Sequence, residues 1–140
     1  MGAMASDTGV DLMSLAPIPA RMLHDTAVFY VVDYMDRYQN KVYREITIKN
    51  VHLQASNNVL KRANDTEVQL RGILFVDERR STPRIDLYAL QQESLEKGDT
   101  MRAVIYDASG NEVGDYTVIE VDDLPDVPAT RRHHWELSLI

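Results

Sequence analysis

Residues 100–121, TMRAVIYDASGNEVGDYTVIEV, constrain the fold more than any other stretch. Two runs of alternating apolar and polar residues meet at a turn around Ser109 and Gly110, which is the pattern of a β-hairpin. A chain that commits 22 residues to such a unit needs further strands to cover its apolar face.

Those strands are present. Residues 27–34, AVFYVVDY, are aromatic and β-branched, the composition of a half-buried pleated surface, and DRYQNK after them reads as a polar turn. In EITIKNVHL the apolar residues Ile46 and Ile48 fall in one phase and Val51 and Leu53 in the other. That slip predicts a β-bulge near Lys49 and Asn50. EVQLRGILFV places Val68, Leu70, Gly72, Leu74 and Val76 on one face, with Ile73 and Phe75 apolar on the other, as in a central or interface strand. DERRSTP breaks it, RIDLYAL reads as a short strand edged by Pro83, and QQESLEKGD holds one helical turn stopped by Gly98. After the polar connection DDLPDVPAT, a terminal strand carries His133, Trp135, Leu137 and Leu139 on one face and Arg132, His134, Glu136 and Ser138 on the other. The expected fold is therefore all-β, a small antiparallel β-barrel or sandwich with a long inter-strand loop and at most one short helix. Residues 1–16 read as a tail whose start is an expression scar, and 17–140 as a single β domain.

At 140 residues the chain is long enough to bury a core without staples, and without cysteine it has neither disulfides nor thiolate metal sites. No apolar run approaches the ~18 residues of a membrane span and no signal peptide is visible, so no membrane partner is expected and the cytoplasm is the default compartment. A formal charge of −7 disfavours wrapping of duplex DNA, which depends on many Lys and Arg.

No motif points to catalysis. Strand alternation is expected to put His133 beside Trp135 and His134 at the surface, so that the two diverge and cannot share a metal. His24 and His52 are isolated, and no H-E-x-x-H occurs. DASGNEVGD echoes a calcium loop but has Glu112 where Gly is required and Val118 where Glu is required. Asp122 and Asp123 lie in a solvated connection, and no G-x-S-x-G is present. The expectation is a protein without catalytic residues, metal or cofactor.

Two segments remain as candidate sites. Of 15 basic residues eleven are Arg, and Arg79, Arg80 and Arg84 are concentrated in DERRSTPR, either as a solvated turn or as an interface or phosphate contact. The loop Ala55, Ser56, Asn57, Asn58, Val59, Leu60, Lys61, Arg62, Ala63, Asn64 and Asp65 is too long and polar for core, and loops of such length are usually functional or disordered.

Four stretches in order, IPARMLHDTAVFY, VHLQASNN, EVQLRGILFVDERRSTP and RRHHWELSLI, resemble minor capsid proteins of tailed phages of Gram-positive bacteria, a group of head-tail connector or head-closure proteins. The matching positions are Ile18, Pro19, Arg21, Leu23, Gln69, Leu70, Phe75, Asp77, Ser81, Pro83, His133, His134, Trp135 and Glu136. The chain departs from the family at Gln54 and Ala55, where Glu-Pro is usual, in a longer hairpin from Asp107 to Asp115, and in the extension 1–16. The resemblance implies a virion protein at the head-tail interface, present in the host cytoplasm during assembly. It implies a homo-oligomeric ring with a portal or adaptor protein above, a tail-completion protein below and packaged double-stranded DNA in its channel. On that reading the loop 55–65 is a channel gate, with Lys61 and Arg62 toward DNA phosphate, and Arg79, Arg80 and Arg84 contact a neighbouring subunit or the portal. A tail-completion (tail terminator) protein and an OB-like module binding single-stranded nucleic acid are the alternatives; the second needs aromatic platforms on a basic groove, which the acidic balance opposes.

Overall fold

The computed structural model describes residues 16–61, 63–126 and 131–140. The tail 1–15, Arg62 and residues 127–130 lie outside that description. Among the described residues a 3-10 turn, Ala20–Met22, is followed in order by eight strands and one α-helix: β1 Asp25–Met35, β2 Lys41–Ala55, β3 Val59–Lys61, β4 Glu67–Gln69, β5 Gly72–Asp77, α1 Leu87–Glu96, β6 Arg102–Tyr106, β7 Glu112–Pro125 and β8 Arg132–Leu139. Six of them form one antiparallel sheet in the order β1-β2-β5-β8-β7-β6, and β6 pairs back onto β1, so the sheet closes on itself. The all-β expectation holds, with a closed barrel rather than a sandwich.

Alternation built the inner face. Ala27, Phe29 and Val31 of β1, Leu74 and Val76 of β5, Ala103 and Ile105 of β6, Val118 and Val121 of β7, and Trp135, Leu137 and Leu139 of β8 form one buried cluster. The phase slip in β2 is a bulge: Asp25 pairs with Val51 and Thr26 with Lys49, leaving Asn50 as the extra residue in the left-handed region at φ 62°. Ile48 and Val51 both reach the core because of it. The hairpin between β6 and β7 is also as expected, its turn held by Asp107, whose carboxylate accepts from the Ser109 and Asn111 amides.

Three segments differ from the expectation. RIDLYAL is not a strand: Asp86 caps the first turn by accepting from the Ala89 amide at 3.0 Å, and a helix runs from Leu87 to Glu96. Leu87 and Leu90 enter the core, while the buried Gln91 and Ser94 serve backbone groups that no strand reaches. Ser94 Oγ accepts from Val32 N, and Gln91 donates to Val118 O and accepts from Met101 N. The helix thus closes the barrel where the short β6 stops, satisfying donors and acceptors that burial would otherwise orphan. The connection DDLPDVPAT begins as strand, since β7 continues through Asp122, Asp123 and Leu124 to Pro125; its residues 127–130 lie outside the described residues.

The third difference is the long loop. EVQLRGILFV is split between β4 and β5, and β3 pairs with β4 through Val59↔Gln69, Leu60↔Val68 and Lys61↔Glu67. The ladder between β2 and β5 thus continues past Ala55↔Gly72 into a two-stranded arm, with Ser56 N bonded to Arg71 O and Leu70 N to Asn58 O at its root. The segment 55–65 is therefore not an irregular loop; Ala55 ends β2, Ser56, Asn57 and Asn58 form the root, and Val59, Leu60 and Lys61 are strand. Three residues on one side, Ser56, Asn57 and Asn58, face two on the other, Leu70 and Arg71, between the pairs Ala55↔Gly72 and Val59↔Gln69, a bulge that separates arm from barrel.

Candidate functional site

The two candidate segments occupy opposite ends of β5. Gly72 stands at the root of the arm and Asp77 at the start of the arginine turn, a separation of roughly 17 Å at the rise of an extended strand.

The arm is anchored at its root and exposed at its tip. Leu70 is buried, and Arg71 lays its guanidinium over the Tyr116 ring at 4.6 Å. Beyond, Val59 is 61% exposed, and Ala63, Asn64 and Asp65 form a turn in which Asn64 Oδ1 accepts from the Thr66 amide. Lys61, Ala63 and Asn64 face Glu120 of β7 across a shallow depression, so the arm leans along the barrel. Lys61 pairs with Asp65 at 3.6 Å and stands opposite Glu67, which offsets the positive charge expected there. Arg62 falls outside the described residues.

The arginine turn is rigid, and the reason is Asp77. This buried carboxylate accepts from the amides of Arg79 at 3.0 Å and Arg80 at 2.9 Å through one oxygen and from Ile18 at 3.1 Å through the other. Ser81, also buried, accepts from Asp77 N and donates to the carbonyl of the bulged Asn50. Thr82 and Lys49 then exchange two backbone hydrogen bonds. The spacing Asp-x-x-x-Ser is thus architectural: it ties the turn to the β2 bulge and to the segment that enters β1.

The three arginines are not equivalent. Arg79 donates to Asp126 at 2.9 Å, and the Asp126 side chain is only 1% exposed. Arg79 and Arg84 line a depression of about 550 Å³ with Glu78, Asp126, Arg131 and Arg132, whereas Arg80 is exposed and does not line it. Arg132 was not among the expected site residues, because only folding brings it there. It forms a bidentate pair with Asp123 at 2.8 and 3.1 Å and covers the Trp135 ring at 3.8 Å. Partial burial pulls its pKa down, but the hydrogen bonds and charges of Asp123 and Glu78 outweigh this and raise it above the ordinary guanidinium value. Arg80→Glu with Arg84→Glu is expected to change stability by no more than about 0.5 kcal/mol, whereas Arg79→Glu sets a carboxylate against Asp126 and should cost about 1–3 kcal/mol. Urea unfolding of the two variants separates these outcomes.

The histidines do not diverge. His133 Nδ1 lies 2.8 Å from His134 Nδ1, with the rings edge to face at 5.0 Å. Leu124 pairs with His134 and Pro125 with Arg132, so His133 is the extra residue of a bulge and its side chain leaves the expected face. Its place beside Trp135 is taken by Arg132. On the outer face His24, His52, Phe75, His134 and His133 follow one another at ring separations of 5.0 to 6.3 Å. Ile18, Pro19 and Met22 cross this row and enclose a groove of about 350 Å³ with His52, Gln54, Phe75, His134 and Glu136. Among the described residues no three His, Asp or Glu side chains are grouped to hold a metal. Compared with family models, with curated proteins and with solved structures, the chain matches none of them.

Proposed function

We propose that this protein is a head-completion subunit of a tailed phage, forming a homo-oligomeric ring below the portal, closing the DNA exit channel and offering a docking surface to the tail. The observation that carries the reading is the arm: the paired strands β3 and β4 extend the barrel at one end, rooted by Leu70 and Arg71, with Val59, Lys61, Ala63, Asn64 and Asp65 exposed. A ring subunit needs an element free to meet its copies on an axis and a separate surface for its neighbours, and a head-to-tail contact closes when front matches back. The turn of Arg79, Arg80 and Arg84, locked by Asp77 and Ser81 at the far end of β5, supplies the second surface. The order of motifs shared with phage minor capsid proteins supports the same assignment, since Ile18, Asp77, Ser81 and the His133–Glu136 segment meet around this turn and its groove.

Because Asp65 and Glu67 offset Lys61, the arm closes the channel by its bulk and by contacts between copies at Val59, and attraction to DNA phosphate is a minor contribution. Phage particles assembled without this protein should package DNA but fail to join tails, and adding the purified protein to such heads should restore joining. Tail attachment in its absence would contradict the proposal.

A further inference from the structure

We propose that His133 and His134 form a proton-binding latch, holding one proton more than two neutral imidazoles carry, and that this proton fastens the segment Ala16–Met22 over the groove on the outer face. His133 Nε2 meets the carbonyl oxygen of Ala16, which only accepts, so that nitrogen carries hydrogen. His134 Nε2 meets Glu136 Oε2 at 2.8 Å, and a carboxylate likewise only accepts. The two Nδ1 atoms face each other at 2.8 Å, a separation that requires a third hydrogen between them. Three hydrogen bonds in a row need three hydrogens, and two neutral imidazoles bring two. The third is taken from solvent, giving an imidazole paired with an imidazolium whose charge Glu136 balances.

The surrounding groups leave this role to Glu136. Asp77, cross-strand from His134, spends its carboxylate on the Ile18, Arg79 and Arg80 amides. Glu78 and Asp123 both pair with Arg132, the cation next along β8. His52 stacks behind Phe75 and does not reach the pair.

Loss of the proton leaves two lone pairs opposed, and gain of a second sets two N–H groups and two positive charges against each other. His134 is held by Glu136 and stacked on Phe75, so His133 is the ring that yields, and the bond to Ala16 is lost with it. Among the described residues the segment then keeps one polar tie to the barrel, Ile18 N to Asp77, and its detachment opens the groove over His52 and Phe75.

The Ile18 amide reports the latch directly, because Pro17 and Pro19 on either side have no N–H. In the intact protein, ¹⁵N spectra of the imidazoles between about pH 5 and 8, where histidines change charge, should contain a state with three protonated nitrogens across the two rings. Amide exchange of Ile18, expressed as a protection factor, should be greatest in that state and fall roughly tenfold on either side, the scale of one hydrogen bond. His133→Gln keeps a donor for Ala16 but does not titrate, so its protection should be independent of pH. Two protonated nitrogens in the pair while Ile18 remains protected would overturn the proposal, as would the same pH profile in His133→Gln as in the parent.

Discussion

Replacing Trp135 by alanine is expected to destabilise the fold by about 3–5 kcal/mol, a large share of the roughly 5–15 kcal/mol that holds a domain of this size together. Trp135 is 2% exposed and among the largest buried side chains, in one cluster with Leu74, Val76, Leu137 and Leu139. Its position on β8 places it between two barrel neighbours, opposite Val76 of β5 and Asp123 of β7, so its removal leaves a cavity that both strands line. The cost has a second part, because the Arg132 guanidinium lies on the ring and loses that partner while remaining paired with Asp123 and Glu78. Chemical denaturation monitored by circular dichroism gives the number; a loss below about 1 kcal/mol would mean that the tryptophan is not the centre of the core.

Removing the arm should have the opposite balance, a large functional loss with little loss of stability. If residues 57–69 are replaced by a tight Asn-Gly turn between Ser56 and Leu70, the six barrel strands and α1 keep all of their pairing. The side chains removed, from Asn57 to Gln69, are exposed or only partly buried among the described residues, so stability should change by less than about 1 kcal/mol. Under the proposed function the shortened subunits still join the portal, yet heads lacking tails release their packaged DNA. Retention equal to that of the parent would remove the gating role from the arm and leave it a part in subunit or tail contacts.

What sequence patterning reveals here follows the range of the forces involved. The β2 bulge was legible because it is local: apolar residues change phase between Ile48 and Val51, and only an extra residue reconciles both with one core. The β6–β7 hairpin and the inward placing of Trp135, Leu137 and Leu139 on β8 were legible for the same reason. Helix α1 was not, because its inward face includes Gln91 and Ser94, whose partners are Val32 of β1, Val118 of β7 and Met101 just before β6. The arm was hidden by composition: Val59, Leu60 and Val68 are too few apolar residues to stand out, and pairing with each other, not burial, makes them strands. At the candidate site, the crowding of Arg79, Arg80 and Arg84 was visible, but not that Arg79 is committed to Asp126 or that Arg131 and Arg132 share its depression. The meeting of His133 with His134 depends on a bulge opposite β7, so alternation along β8 alone predicts the wrong face.

The central claim is that this barrel is a ring subunit at the head-tail junction, and imaging that junction tests it most directly. Averaged electron-microscopic density of tailed particles, with the protein tagged at the exposed Gly110 turn, should place copies in a closed ring coaxial with the portal. The arms should point to the channel axis, and the turn bearing Arg79, Arg80 and Arg84 should face a neighbouring subunit or the portal. A junction without tag density, in particles that carry tails, would contradict the account.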